Sequence, residues 1–158
     1  MTAFVNSYKK LKDLHPEEAI TSGTGLCAGC GGLEGLRLAL KELGENVLIC
    51  NAAGCFTLLS VYPFTPLKGS WLYTTMGAPV PAAQGVRDAL DIRLKHRGLS
   101  DEEDLLVMTV AGDGSSNDIG LGATSAALHR KLNFIYFCYD NEAYGNTGFQ
   151  LSAASPYG

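Results

Sequence analysis

Basic residues never gather in this sequence. Its 12 lysines and arginines are scattered along 158 residues and are outnumbered by 16 acidic ones, for a net charge of −4. A nucleic-acid surface needs positive charge massed on one face, so nucleic acid is excluded as a partner. Long apolar runs are missing as well: none approaches the roughly 18 residues of a membrane-crossing helix. Residues 1–16 are polar and lysine-bearing, without the apolar stretch of an export signal. No segment repeats, and no Pro/Gly/Ser linker divides the chain. The expectation is one globular, cytoplasmic domain over residues 1–158, with no membrane span and 46% hydrophobic residues to fill its core.

The cysteine count is odd, at five, and Cys27 and Cys30 form a CxxC. A secreted disulfide framework explains that poorly in a chain without an export signal, whereas metal or redox chemistry explains it well. The 19 glycines exceed average usage and cluster over 23–35, 112–122 and 145–148.

Apolar residues at helical spacing predict a helix over 33–43 that stops at Gly44. Short apolar runs predict buried strands at 46–52, 104–110 and 133–139, with further helices at 82–97 and 119–130 and a loop over 62–71. Strand, glycine turn, helix, strand is the order of an α/β fold: a central, mostly parallel sheet with helices on both faces. Its ligands sit outside the carboxyl ends of the strands, where the polar turns 112–114 and 140–146 fall.

Gly112-Asp113-Gly114 is followed by Asn141 at the end of the next predicted strand. Magnesium on a diphosphate takes hard oxygen ligands in an octahedron, and the Asp113 carboxylate, the Asn141 amide and the Ala143 carbonyl could supply three. The flanking glycines would let backbone approach phosphate, and a helix starting nearby would aim N–H groups at it. Cys27, Cys30 and Cys55 have the spacing to cap three corners of an iron-sulfur site, although structural zinc or a redox dithiol would use the pair equally well. Cys50 and Cys138 lie within predicted buried strands, where cysteine acts as a small hydrophobe. Gly23-x-Gly25-x-x-Ala28 matches a variant dinucleotide fingerprint, but no strand pattern precedes it, so that reading is rejected.

Taken together, Cys27-Ala28-Gly29-Cys30-Gly31, Ala53-Gly54-Cys55, Gly112-Asp113-Gly114 and the run from Tyr139 to Gly148 (YDNEAYGNTG) resemble the beta subunit of pyruvate:ferredoxin oxidoreductase and its 2-oxoacid relatives. The resemblance implies a thiamine-diphosphate-binding fold. It also implies that Cys27, Cys30 and Cys55 bind a 4Fe-4S cluster and that Asp113, Asn141 and Ala143 hold Mg2+. Gly112, Gly114, Ser115, Tyr144, Gly145 and Asn146, with Cys55, would line the coenzyme. The implied reaction is oxidative decarboxylation of a 2-oxoacid. Electrons pass to the cluster and on to ferredoxin or another acceptor, and coenzyme A usually takes the acyl group. The implied partners are alpha-type, gamma-type and ferredoxin-like subunits. The glutamate that activates the coenzyme comes from a partner, so no residue here, Glu142 included, is assigned a catalytic role.

Two departures accompany the match. Family beta subunits are about twice as long, which makes this chain the N-terminal part of a longer subunit with the fourth cluster ligand beyond residue 158. Gly32 stands where many pyruvate enzymes carry an acidic residue, and 58–81 differs from the pyruvate type, leaving the oxoacid open between pyruvate and others, including an aromatic one such as phenylglyoxylate. A non-redox thiamine-diphosphate decarboxylase or synthase, or a zinc-stabilised structural subunit, are the alternatives.

Overall fold

The computed structural model describes residues 10–60, 65–98 and 105–157. Helix α1, Gly31–Leu43, repeats leucine at 33, 36, 40 and 43, a spacing that puts all four on one face. Leu36 and Leu40 are buried by it. Gly44, at φ 79°, ends the helix in a conformation that favours glycine, and its N–H bonds the Leu40 carbonyl at 2.9 Å.

Strand β1, Val47–Ala52, is central and almost wholly buried. Strand β2, Ser70–Thr74, lies on one side of it; β3, Leu106–Gly112, lies on the other, and β4, Ile135–Tyr139, follows β3. The order β2-β1-β3-β4 is parallel throughout. Helices α2, Pro79–Arg97, and α3, Leu121–Arg130, make the crossovers into β3 and β4. Side chains alternate across β1 and β3. Val47, Ile49, Met108 and Val110 join Leu36 and Leu40 in one core layer, while Cys50 and Val107 pack with Ala83 of α2 in the other. The helices therefore cover both faces of an α/β sheet, as such sheets require. Among the described residues no helix is long and apolar enough to cross a membrane.

Several expectations need correction. The segment read as a loop over 62–71 runs into β2, which sequence pattern could not show because this edge strand leaves Leu72 and Tyr73 half exposed; residues 62–64 lie outside the described residues. The helix expected from 119 is preceded by a six-residue π turn, Gly114–Ile119, closed by Gly120 N–H to the Ser115 carbonyl at 2.8 Å. A small antiparallel hairpin, β5 (Ala143–Tyr144) with β6 (Gln150–Leu151), went unread. Cys138 is exposed, not buried. Among the described residues β4 has a strand neighbour on one side only, so its alternate side chains are not sealed in.

Candidate functional site

Parallel pairing sets the carboxyl ends of all four strands along one side of the sheet, and the loops that leave them face a common cleft. Gly112 ends β3 and Asp113, Gly114 and Ser115 follow it; after β4 come Asn141, Ala143, Tyr144, Gly145 and Asn146; after β1 comes Cys55. The structure brings all ten into the wall of one cavity. Its volume is about 50 Å³, against about 300–1,000 Å³ for pockets that enclose a whole ligand of drug size. This chain by itself offers a floor rather than an enclosure.

Asp113 is 1% exposed, and its Oδ2 accepts a hydrogen bond from the Ser152 hydroxyl. Its Oδ1 stands 2.8 Å from one end of the Asn141 carboxamide, an end that also lies 3.0 Å from the Ala143 carbonyl. With nitrogen at that end, the amide donates to both oxygens. With oxygen there, the carboxylate, the amide and the carbonyl would present three oxygens that a cation between them would offset. The 2.8 and 3.0 Å separations are ordinary hydrogen-bond lengths and also lie close to the roughly 3.0 Å between neighbouring ligands at about 2.1 Å from an octahedral ion. The residue set is thus compatible with magnesium.

The backbone makes this convergence. Glu142, between Asn141 and Ala143, sits at φ 61°, an uncommon conformation for a non-glycine residue that turns both neighbours toward Asp113. The Glu142 N–H donates to Asp140 Oδ1 at 2.9 Å, and the Ser155 hydroxyl donates to the Glu142 carbonyl. A side chain at Gly114 would run into the Tyr144 ring, so glycine is required there. The Tyr144 hydroxyl donates to Asp118 Oδ2 at 2.8 Å; desolvation, then this acceptor, push it up to about 12 and keep it protonated. Ser115 lines the cavity, yet its hydroxyl donates to the Met76 carbonyl and ties the loop after β2 into the floor.

The cysteines lie to one side. The turn from Cys27 to Cys30 is closed by Cys30 N–H to the Cys27 carbonyl at 3.2 Å, with Gly29 at φ 72°, and it leads into α1. Cys27 and Cys30 border a cavity of about 720 Å³. Cys30 and Cys55 border another of about 420 Å³. Cys55 also lines the Asp113 cavity and sets its Sγ 3.3 Å from Asn146 Oδ1. Burial, then the neighbouring Cys30 and Cys27, push the Cys55 thiol up and favour its neutral form. All five cysteines are free, and among the described residues no three Cys, His, Asp or Glu side chains are gathered to hold a metal.

Between the two ends stands Tyr139, which sequence reasoning passed over. Its ring stacks on Phe56 with centroids 4.1 Å apart, and it borders both the Asp113 cavity and the Cys30–Cys55 cavity. A Cβ added at Gly32 would stand 3.1 Å from Tyr139 Cβ, so an acidic residue at that position would be tightly packed against this side chain. Ser152, Asp118 and Met76 were also missed. No residue pattern marks them, since each acts through a loop folded back from elsewhere in the chain.

Residues 52–158 match the family model described as thiamine pyrophosphate enzyme, C-terminal TPP binding domain. Pyruvate synthase subunit PorB of Methanothermobacter thermautotrophicus is 44% identical over 143 residues, 90% of this chain and 47% of that one. Ketoisovalerate oxidoreductase subunit VorB of Pyrococcus abyssi is 37% identical over 146 residues, 90% of this chain and 45% of that one. A solved 2-oxoglutarate:ferredoxin oxidoreductase from Magnetococcus marinus, with 2-oxoglutarate, coenzyme A and succinyl-CoA bound, superposes with a TM-score of 0.66 at 26% identity. That superposition covers 96% of this chain and 48% of the other. The chain belongs to the thiamine pyrophosphate enzymes and, within them, to the beta-subunit family of the 2-oxoacid:ferredoxin oxidoreductases. It spans about half the length of the curated relatives it matches.

Proposed function

We propose that this chain is the thiamine-diphosphate-binding and 4Fe-4S-ligating part of a cytoplasmic 2-oxoacid:ferredoxin oxidoreductase, forming one domain of a longer subunit. The convergence of Asp113, the Asn141 amide and the Ala143 carbonyl at octahedral spacing carries the reading, because those oxygens would hold Mg2+ on a diphosphate. When bound, thiamine diphosphate supplies the carbanion chemistry that lets a 2-oxoacid lose carbon dioxide. The chain's own residues position it: Gly112 and Gly114 let the Tyr139 and Tyr144 rings pack against the floor, which Gly145 and Asn146 complete. Cys27, Cys30 and Cys55 supply three thiolates to the cluster, with the fourth from outside residues 1–158. The rest of the coenzyme is covered, and its activating glutamate provided, by partner subunits, with ferredoxin as electron acceptor and coenzyme A as acyl acceptor.

Pyruvate is the first substrate to try, since the relatives named pyruvate synthase reach 44% identity; a branched oxoacid follows, from the relatives named for ketoisovalerate. The test is reduction of a viologen dye by the purified complex. Pyruvate-dependent reduction that needs thiamine diphosphate and coenzyme A supports the reading, and its absence with every 2-oxoacid tried contradicts it. A second reading is a thiamine-diphosphate enzyme without iron. Iron analysis of the same complex separates the two.

A further inference from the structure

Asp113 is buried, and each oxygen of a buried carboxylate is expected to meet a donor or a cation. Its Oδ1 faces the Asn141 amide and the Ala143 carbonyl; its Oδ2 is met by Ser152, itself 9% exposed and 39 positions along the chain. The Ser152 hydroxyl oxygen accepts the Ala154 N–H at 3.2 Å, which leaves its proton for Asp113.

The same short turn reaches the other two oxygens. Ser155 N–H bonds the Ser152 carbonyl at 3.0 Å, and the Ser155 hydroxyl accepts the Ser152 N–H at 2.9 Å while donating to the Glu142 carbonyl. Glu142 is the positive-φ residue whose conformation aims Asn141 and Ala143 inward. Ala153 N–H meets both Asp118 carboxylate oxygens at 3.2 Å, anchoring the turn to the π turn after Asp113. One turn thus grips both arms of the oxygen site.

We propose that Ser152 is a positioning residue for the cation site, with Ser155 as its support. Ser152 occupies Oδ2 so that Asp113 presents one oxygen, not two, and Ser155 holds the Glu142 peptide so that the amide and carbonyl stay in register with it. This rests on the reading of Asp113, Asn141 and Ala143 as a magnesium site.

The test uses the full-length subunit in its complex, with Mn2+ and thiamine diphosphate as probe and paramagnetic resonance to count bound ion. Ser152→Ala is expected to weaken Mn2+ about ten-fold, the scale of one hydrogen bond to a charged group. Ser152→Thr keeps the hydroxyl and is expected to restore most of that loss. Ser155→Ala is expected to weaken Mn2+ about three-fold, and it decides the matter should Ser152→Ala fail to fold. The loss should also appear as a higher Mn2+ requirement for activity in Ser152→Ala, and an unchanged requirement counts against the proposal. A role confined to folding would instead lower the yield and leave the ion affinity of the folded fraction unchanged, and that result in Ser152→Ala, or in Ser155→Ala where only it folds, overturns the proposal. Mn2+ binding that survives Asp113→Ala overturns the site reading itself, so the two failures are distinguishable.

Discussion

Asp113 is 1% exposed and meets a serine hydroxyl and a carboxamide, each held by further hydrogen bonds. Cys27 is exposed on a turn, and the nearby segment is held to α1 by Glu18, which pairs with Arg37 and Lys41 at 2.7 Å each. The first arrangement comes with the fold, because strand ends and a buried polar network fix it before any ligand arrives. The second rests on partly exposed ion pairs, which are individually weak and screened by salt. An oxygen site can be shaped in advance around a small hard ion. Burial favours the neutral form of the Cys55 thiol, and a metal bound there would have to deprotonate its thiol ligands.

The largest effect expected from this contrast is at Asp113. Asp113→Ala should lower retention of thiamine diphosphate by the isolated complex at least 100-fold while iron content stays normal, and Asn141→Leu should do likewise. Normal retention by either variant would break the comparison at its stronger end.

The cysteines come next. Cys27→Ser, Cys30→Ser and Cys55→Ser should each lower iron per complex and the resonance signal of the reduced cluster, whereas Cys50→Ser and Cys138→Ser should leave both intact. Cys50 is fully buried, so its hydroxyl replacement should cost about 1–3 kcal/mol in unfolding experiments. Cys138 is exposed, and its replacement should cost about 0.5 kcal/mol or less. A cluster lost with Cys50 and kept without Cys55 would reverse the assignment.

The smallest effect is pH-dependent. Hydrogen bonds from Arg37 and then Lys41 hold the Glu18 carboxyl at about 2 instead of 4.5. Because the folded value is the lower one, what Glu18 contributes is present above about pH 4.5 and is lost as pH falls through about 2. Amide protection over 18–30, referred to the intrinsic exchange rate at each pH, should fall across that window ahead of protection around Asp113, and more so in salt. An equal fall at both ends would show that they share one stability.

Much of this was legible in sequence for physical reasons. β1 and β3 read as apolar runs because helices cover both their faces, and Asp113 and Asn141 stood out because strand-end turns in parallel sheets carry polar ligands. β2 was not legible, since an edge strand keeps no inward-outward alternation. Cys138 misled for a related reason: an apolar neighbourhood in sequence does not say whether a strand has neighbours on both sides. Ser152 could not be read at all, as its partner is set by a hairpin only two residues long on each side.

The Tyr139 ring has one more consequence. Gly32, Gly54 and Gly112 lie far apart in sequence, yet a Cβ at each would meet this one side chain, at 3.1 Å from its Cβ, 2.7 Å from its hydroxyl and 3.2 Å from its Cε2. What reads at Gly54 and Gly112 as two independent requirements for glycine is one ring counted twice. Mutational tolerance at those two positions should therefore be correlated, and a smaller residue at 139 would relax both together, while Gly32, which faces the Cβ, would stay as tight as before.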